Sequence, residues 1–204
     1  MNWELFTAFM VITTVLIITP GPIVTLLIAT GARHGVRAGL LTAAGTSIGN
    51  ALLLTAIAFG LGWVLQHAVI LFEVLRWAGV VYLVWIGIGA WRSAGAPATA
   101  TAAPDRVNFL RGVAVALSNP KTIVFFTAFL PQFVDPTLPA APQLAAMCAT
   151  TVVLAATTDS IWATAAGLGR AWFLRPSRAT FLGRLSGTVL IGGGIWLSLA
   201  RRPA

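Results

Sequence analysis

Three ionisable residues lie deep inside apolar runs of this sequence: Arg76, Lys121 and Asp159. A charge at membrane depth costs at least about 2.5–3.5 kcal/mol on insertion scales, so such side chains face a partner or a cavity. A carboxyl group in that setting gains or loses its proton according to its burial and the charge beside it. Asp159 is therefore the candidate proton-coupling residue. Lys121 is expected either to pair with Asp159 or to hold the carboxylate of a small substrate. A structural ion pair that only fixes helix packing is the plainer alternative for these two. Arg76 has Glu73 one turn earlier, at i,i+3, and is read as half of a local pair.

Two proline-centred segments accompany these charges. Ile18-Thr19-Pro20-Gly21-Pro22-Ile23-Val24 and Leu117-Ser118-Asn119-Pro120-Lys121-Thr122-Ile123-Val124 align on Pro20 and Pro120, with Ile and Val matching three and four places on. Proline donates no backbone hydrogen bond and clashes with the carbonyl one turn earlier, so each segment is expected to break a helix. The freed carbonyls can coordinate an ammonium group or a cation, and the exposed amides can receive a carboxylate. Pro20, Gly21, Pro22, Asn119, Pro120 and Lys121 are the candidate substrate-binding residues. A simple kink that aids packing is the competing reading.

The elements that must position these residues follow from composition. Of 204 residues, 58% are hydrophobic and 9% charged, and the mean hydropathy is +0.89. Soluble domains carry about 25% charged residues, so an ordinary cytosolic or secreted globular protein is excluded. Six apolar runs fall at Leu5–Ile28, Gly39–Leu65, Val69–Ala90, Gly112–Phe133, Leu144–Gly167 and Phe181–Ala200. Each is long enough to cross about 30 Å of hydrocarbon. Backbone groups in lipid must bond within their own segment, so the runs predict an all-α polytopic membrane protein with six transmembrane helices. The Met-Asn-Trp-Glu start lacks the basic residues of a signal peptide, and the first run is expected to stay as a helix.

The net charge of +8 reads as an orientation signal rather than a nucleic-acid footprint. Arg33 and Arg37 fall between spans one and two, Arg92, Arg106 and Arg111 between three and four, and Arg170, Arg175, Arg178 and Arg184 between five and six. The other two connections carry no Lys or Arg. Nine loop arginines on one side predict that this side is cytoplasmic and both termini external, against the vote of Arg201 and Arg202. The small-residue stretch from Ser93 is expected to be a flexible cytoplasmic linker, 93–108, between a first three-helix half, 1–92, and a second, 109–204. Three spans per half make the halves enter the membrane in opposite senses, as in an inverted repeat.

The remaining features carry less chemistry. Asn50 either lines the cavity or bonds another helix. Gly35/Gly39, Gly45/Gly49 and Gly183/Gly187 are small-xxx-small pairs suited to close helix packing or to a homodimer seam. Trp3, Trp63, Trp77, Trp91, Trp172 and Trp196 suit an interfacial belt. One cysteine, Cys148, excludes an internal disulfide. There is no phosphate-binding loop, and His34 and His67 stand apart without metal-ligand spacing. No cofactor is expected.

The sequence resembles the lysine-exporter family, which includes homoserine and threonine efflux proteins. The resemblance rests on Pro20-Gly21-Pro22, the glycines at 35, 39, 45 and 49, Tyr82-Leu83-Val84-Trp85-Ile86-Gly87, Phe109-Leu110-Arg111-Gly112, Asn119-Pro120-Lys121, Pro131-Gln132-Phe133-Val134 and Asp159. It implies an inner-membrane exporter of amino acids or their derivatives, driven by the proton-motive force, with a small zwitterion and protons as partners. The competing classes are an integral membrane enzyme acting on lipid and a metal-ion exporter on a related fold. Both want clusters of ligands or carboxylates in the spans, and only Asp159 qualifies.

Overall fold

The computed structural model describes residues 1–67, 69–94 and 104–199, the side chains at 62–67, 69–72 and 75 excepted. Within them the chain is all-α. Its elements are α1 (Trp3–Ile18), α2 (Pro22–His34), α3 (Val36–His67), α4 (Val69–Arg92), α5 (Asp105–Leu117), α6 (Pro120–Phe129) with a 3₁₀ turn (Leu130–Phe133), α7 (Ala140–Leu168), α8 (Arg170–Phe173) and α9 (Pro176–Leu199). Among the described residues, Val36–Leu61, Asp105–Phe133, Ala140–Leu168 and Pro176–Leu199 are each long and apolar enough to cross a membrane. Together α1 and α2 form a fifth such stretch, bent by 44°. The apolar run Val69–Ala90 falls within α4. Of the linker expected at 93–108, residues 95–103 lie outside the described residues, as do Arg201, Arg202 and the Trp63 side chain, and α5 already begins at Asp105.

Both proline segments break their helices. The first break is an extended Thr19 followed by Pro20 and Gly21, with Pro22 as the first residue of α2. The second carries a helix-start signature. Asn119 caps α6 through its side chain, which accepts from the Lys121 amide at 3.2 Å, and Pro120 takes the first helical position. At the corner between α2 and α3, Gly35 has φ of 90°, a conformation that favours glycine.

The most extensive helix contacts are α3 with α5, α4 with α9 and α3 with α7. Each joins the first half of the chain to the second, so the halves interlock. Glycines make this possible. A Cβ on Gly45 would run into the Phe109 carbonyl, and one on Gly112 into that of Thr42, so α3 and α5 cross backbone to backbone. Gly183 faces Ala94, just past the end of α4, and Gly187 faces Gly87 and Trp91 within α4. Gly45/Gly49 and Gly183/Gly187 therefore serve packing within the chain. Gly39 packs on Ala163, whereas its expected partner Gly35 forms the corner instead.

The ends of the bundle differ. At one, Arg37 pairs with Asp105 at 2.8 Å, and Arg170 donates to the carbonyls of Ala32 and Arg33. At the other, the Asn2 side chain donates to Asp135 at 3.0 Å. These are called the arginine end and the Asp135 end below.

Candidate functional site

Lys121, the chain's single lysine, is buried at the start of α6. Its Nζ donates to the carbonyl of Leu16 at 2.6 Å and that of Thr19 at 2.7 Å. The Leu16 carbonyl is the one that residue 20 would bond in a continuous helix, and Pro20 has no N–H to offer. The ammonium thus satisfies acceptors that the first break exposes, and it ties the two broken helices together. Gly21 makes room for it: a Cβ there would lie 3.1 Å from Lys121 Cδ and 3.4 Å from Nζ.

Asp159, on α7, is 3% exposed. Its Oδ2 accepts from the Thr46 hydroxyl of α3 at 2.7 Å, and the same hydroxyl lies 2.9 Å from the Ala43 carbonyl. One hydroxyl proton serves one acceptor at a time. A protonated Asp159 can donate to the Thr46 oxygen while Thr46 turns its own proton to Ala43, so both charge states find hydrogen bonds. Of the two alternatives for Lys121, the direct ion pair with Asp159 is not formed. The α1 carbonyls hold the ammonium and Thr46 holds the carboxylate instead. Arg76 pairs with Glu73 at 3.3 Å and lies over the Trp77 ring, as the i,i+3 spacing implied.

Two chambers meet at this point. The inner one, about 50 Å³, is lined by Asn50, Asn119, Lys121, Thr151 and Asp159 among others. The wider one, about 670 Å³, runs from Pro20, Pro22, Pro120 and Lys121 to Arg33, Ser93 and Pro176 at the arginine end. Gly21 and Lys121 line both. All six candidate substrate-binding residues thus border one chamber or the other. Towards the Asp135 end lie buried aromatics. Phe9 meets Phe126 and Phe133 edge-on, and Phe129 and Phe133 stack on Trp196. Phe126 of this cluster also lines the inner chamber.

Sequence reasoning missed Thr46 and Thr151. The signal was a helical stripe. Thr42, Thr46 and Asn50 recur every fourth residue on α3, Thr151 and Asp159 lie two turns apart on α7, and all five are buried. Asn119 lines the inner chamber and also builds the second break. Its oxygen caps α6 and its amide nitrogen donates to Thr122 at 2.8 Å, so its side chain shapes the break.

Broken apolar helices bordering chambers that hold a buried lysine and a buried carboxyl are a feature of membrane transporters. The chain belongs to the family described as LysE type translocator, whose model matches residues 14–201. It is 33% identical to a homoserine/homoserine lactone efflux protein of Salmonella typhimurium, covering 98% of this chain and 99% of that one. It is 34% identical to a leucine efflux protein of Klebsiella pneumoniae, over 59% of this chain and 58% of the other. An uncharacterized membrane protein of Vibrio cholerae is 32% identical across 98% of this chain and all of its own length. No solved structure gives a significant match. The protein is accordingly a membrane transporter of an amino-acid efflux family rather than an enzyme, and nothing favours the lipid-enzyme or metal-exporter readings.

Proposed function

We propose that this protein exports amino acids or their small derivatives across the bacterial inner membrane by proton antiport. The observation that carries the proposal is that Gly21 and Lys121 are shared by two chambers, one reaching the arginine end and the other lined by Asp159. In this reading six spans, α1 with α2, α3, α4, α5 with α6, α7 and α9, cross the bilayer. The arginine end is cytoplasmic and both termini are external. The two broken pairs are then counterparts in an inverted repeat of two three-helix halves.

Relatives are named for efflux of homoserine, homoserine lactone and leucine. These compounds share a primary amine on the carbon adjacent to a carbonyl carbon, and the lactone has no free carboxylate. We therefore take the amine as the essential recognition group for this chain. Substrate enters the wider chamber from the cytoplasm, and its ammonium moves towards ionised Asp159. The third hydrogen of Lys121, beyond those given to Leu16 and Thr19, serves a substrate carboxylate or carbonyl. An external proton that neutralises Asp159 removes the attraction and releases the substrate outward. A single carboxylate does not hold a proton and an ammonium together, which makes the exchange obligatory. Because the halves interlock, the change of access is assigned to the two breaks rather than to separation of the halves.

The test is export from proteoliposomes loaded in turn with L-homoserine, L-homoserine lactone and L-leucine under an imposed pH gradient. Efflux of at least one compound that collapses with the gradient supports antiport. Efflux indifferent to the gradient contradicts it.

A further inference from the structure

We infer that Asn50 is the acceptor that selects for a primary ammonium group, so that the inner chamber is an amine pocket. The inference rests on the reading of this chain as an amino-acid exporter and adds to it a residue and a selectivity rule.

Asn50 lies one turn beyond Thr46 on α3, the residue that holds Asp159, and lines the same chamber. It is 5% exposed, and its Oδ1 is buried without a hydrogen-bond partner. An unpaired buried acceptor is costly, and native proteins hold few. The other polar groups of the chamber are engaged. Thr151 donates to the Met147 carbonyl, the Asn119 amide nitrogen to Thr122, and Lys121 directs two of its three hydrogens to α1. Asp159 receives Thr46 on one oxygen.

The valences left over include two acceptors, the Asn50 oxygen and the second carboxylate oxygen of Asp159, beside the third hydrogen of Lys121. The two acceptors call for a cationic donor with several hydrogens, which a primary ammonium supplies. Size agrees. A water needs roughly 10–15 Å³ of such space, so about 50 Å³ holds roughly three to five water-sized groups, room for an ammonium and the carbons next to it. The side chain remains on the far side of Gly21 and Lys121, in the wider chamber. The pocket is thus strict for the amine and permissive for what it is attached to.

The test measures equilibrium binding of L-homoserine and L-leucine, each with its N-acetyl derivative, to purified wild-type protein, Asn50→Leu and Asn50→Asp. For the wild type, N-acetylation is expected to weaken binding by about tenfold or more, and Asn50→Leu to lose a similar factor for the free amines only. Asn50→Asp keeps an acceptor and is expected to retain the preference for the free amine. Equal binding of acetylated and free compounds by the wild type overturns the inference without any variant, should Asn50→Leu fail to fold. Unchanged discrimination in folded Asn50→Leu also overturns it and leaves the exporter reading standing. Failure of the wild type to bind either free amino acid removes both.

Discussion

The Lys121 ammonium lies 2.6 Å from the carbonyl oxygen of Leu16, a residue 105 positions earlier in the chain. Each proline break creates a need that the other meets. Pro20 leaves a carbonyl without its donor, and the Asn119-Pro120 start of α6 brings a buried cation to it. Lys121→Met is expected to leave the Leu16 and Thr19 carbonyls bare at about 1–3 kcal/mol each. The melting temperature in detergent should fall and export should stop. Lys121→Arg is not expected to rescue, because a planar guanidinium needs more space than Gly21 leaves.

Gly21 tests the same contact from the other side. Its backbone is extended, with φ of −154°, so alanine fits the conformation but presses on the Lys121 stem at 3.1 Å. Gly21→Ala should therefore fold and insert like the wild type while exporting more slowly. Parallel measurement of melting temperature and initial export rate separates the two effects.

Glycines elsewhere divide by what surrounds them. Gly45→Ala is expected to abolish folded protein, since its Cβ meets the Phe109 backbone, which cannot move aside as a flexible side chain would. Nothing lies within 4 Å of a Cβ on Gly193, inside α9. Gly193→Ala should be neutral or stabilise the helix by up to about 1 kcal/mol. Monodispersity and thermal melts of the two variants check the contrast.

The Asp135 end is fastened by a carboxylate. Hydrogen bonds from the Thr137 hydroxyl, the Asn2 side chain and the Thr137 amide hold the Asp135 carboxyl below its ordinary pKa. A carboxyl group lowered on folding contributes stability that is full above its unfolded pKa and is lost as pH falls through its folded value. Asp135→Ala should accordingly lower the melting temperature at neutral pH, and the difference from wild type should shrink on acidification. A difference independent of pH would assign the effect to packing alone.

Much of this was legible in the sequence because membrane physics is strict. Apolar runs long enough to span must be helical, and Pro-Gly-Pro and Asn-Pro mark breaks through a missing donor. The local pairing of Arg76 with Glu73 follows from i,i+3 spacing alone. The partners of Lys121 and Asp159 were harder to see. Opposite charges at similar depth suggested each other, yet the orphaned Leu16 carbonyl and the Thr46 hydroxyl bind first. The first of these was implicit in Pro20. The second needed knowledge of which faces of α3 and α7 meet, which spacing within one helix does not supply. Nor does periodicity reveal that the halves interlock through Gly45 and Gly112, since a small-xxx-small pair does not name its partner helix.

The most direct test of proton coupling is Asp159→Asn in proteoliposomes, with export followed as external pH is varied. Asparagine keeps the shape and a bond to Thr46 but does not titrate. If Asp159 carries the proton, export driven by a pH gradient is lost, while exchange of labelled for unlabelled substrate across the membrane persists or becomes insensitive to pH. Net export at the wild-type rate with the wild-type pH dependence would contradict the central claim.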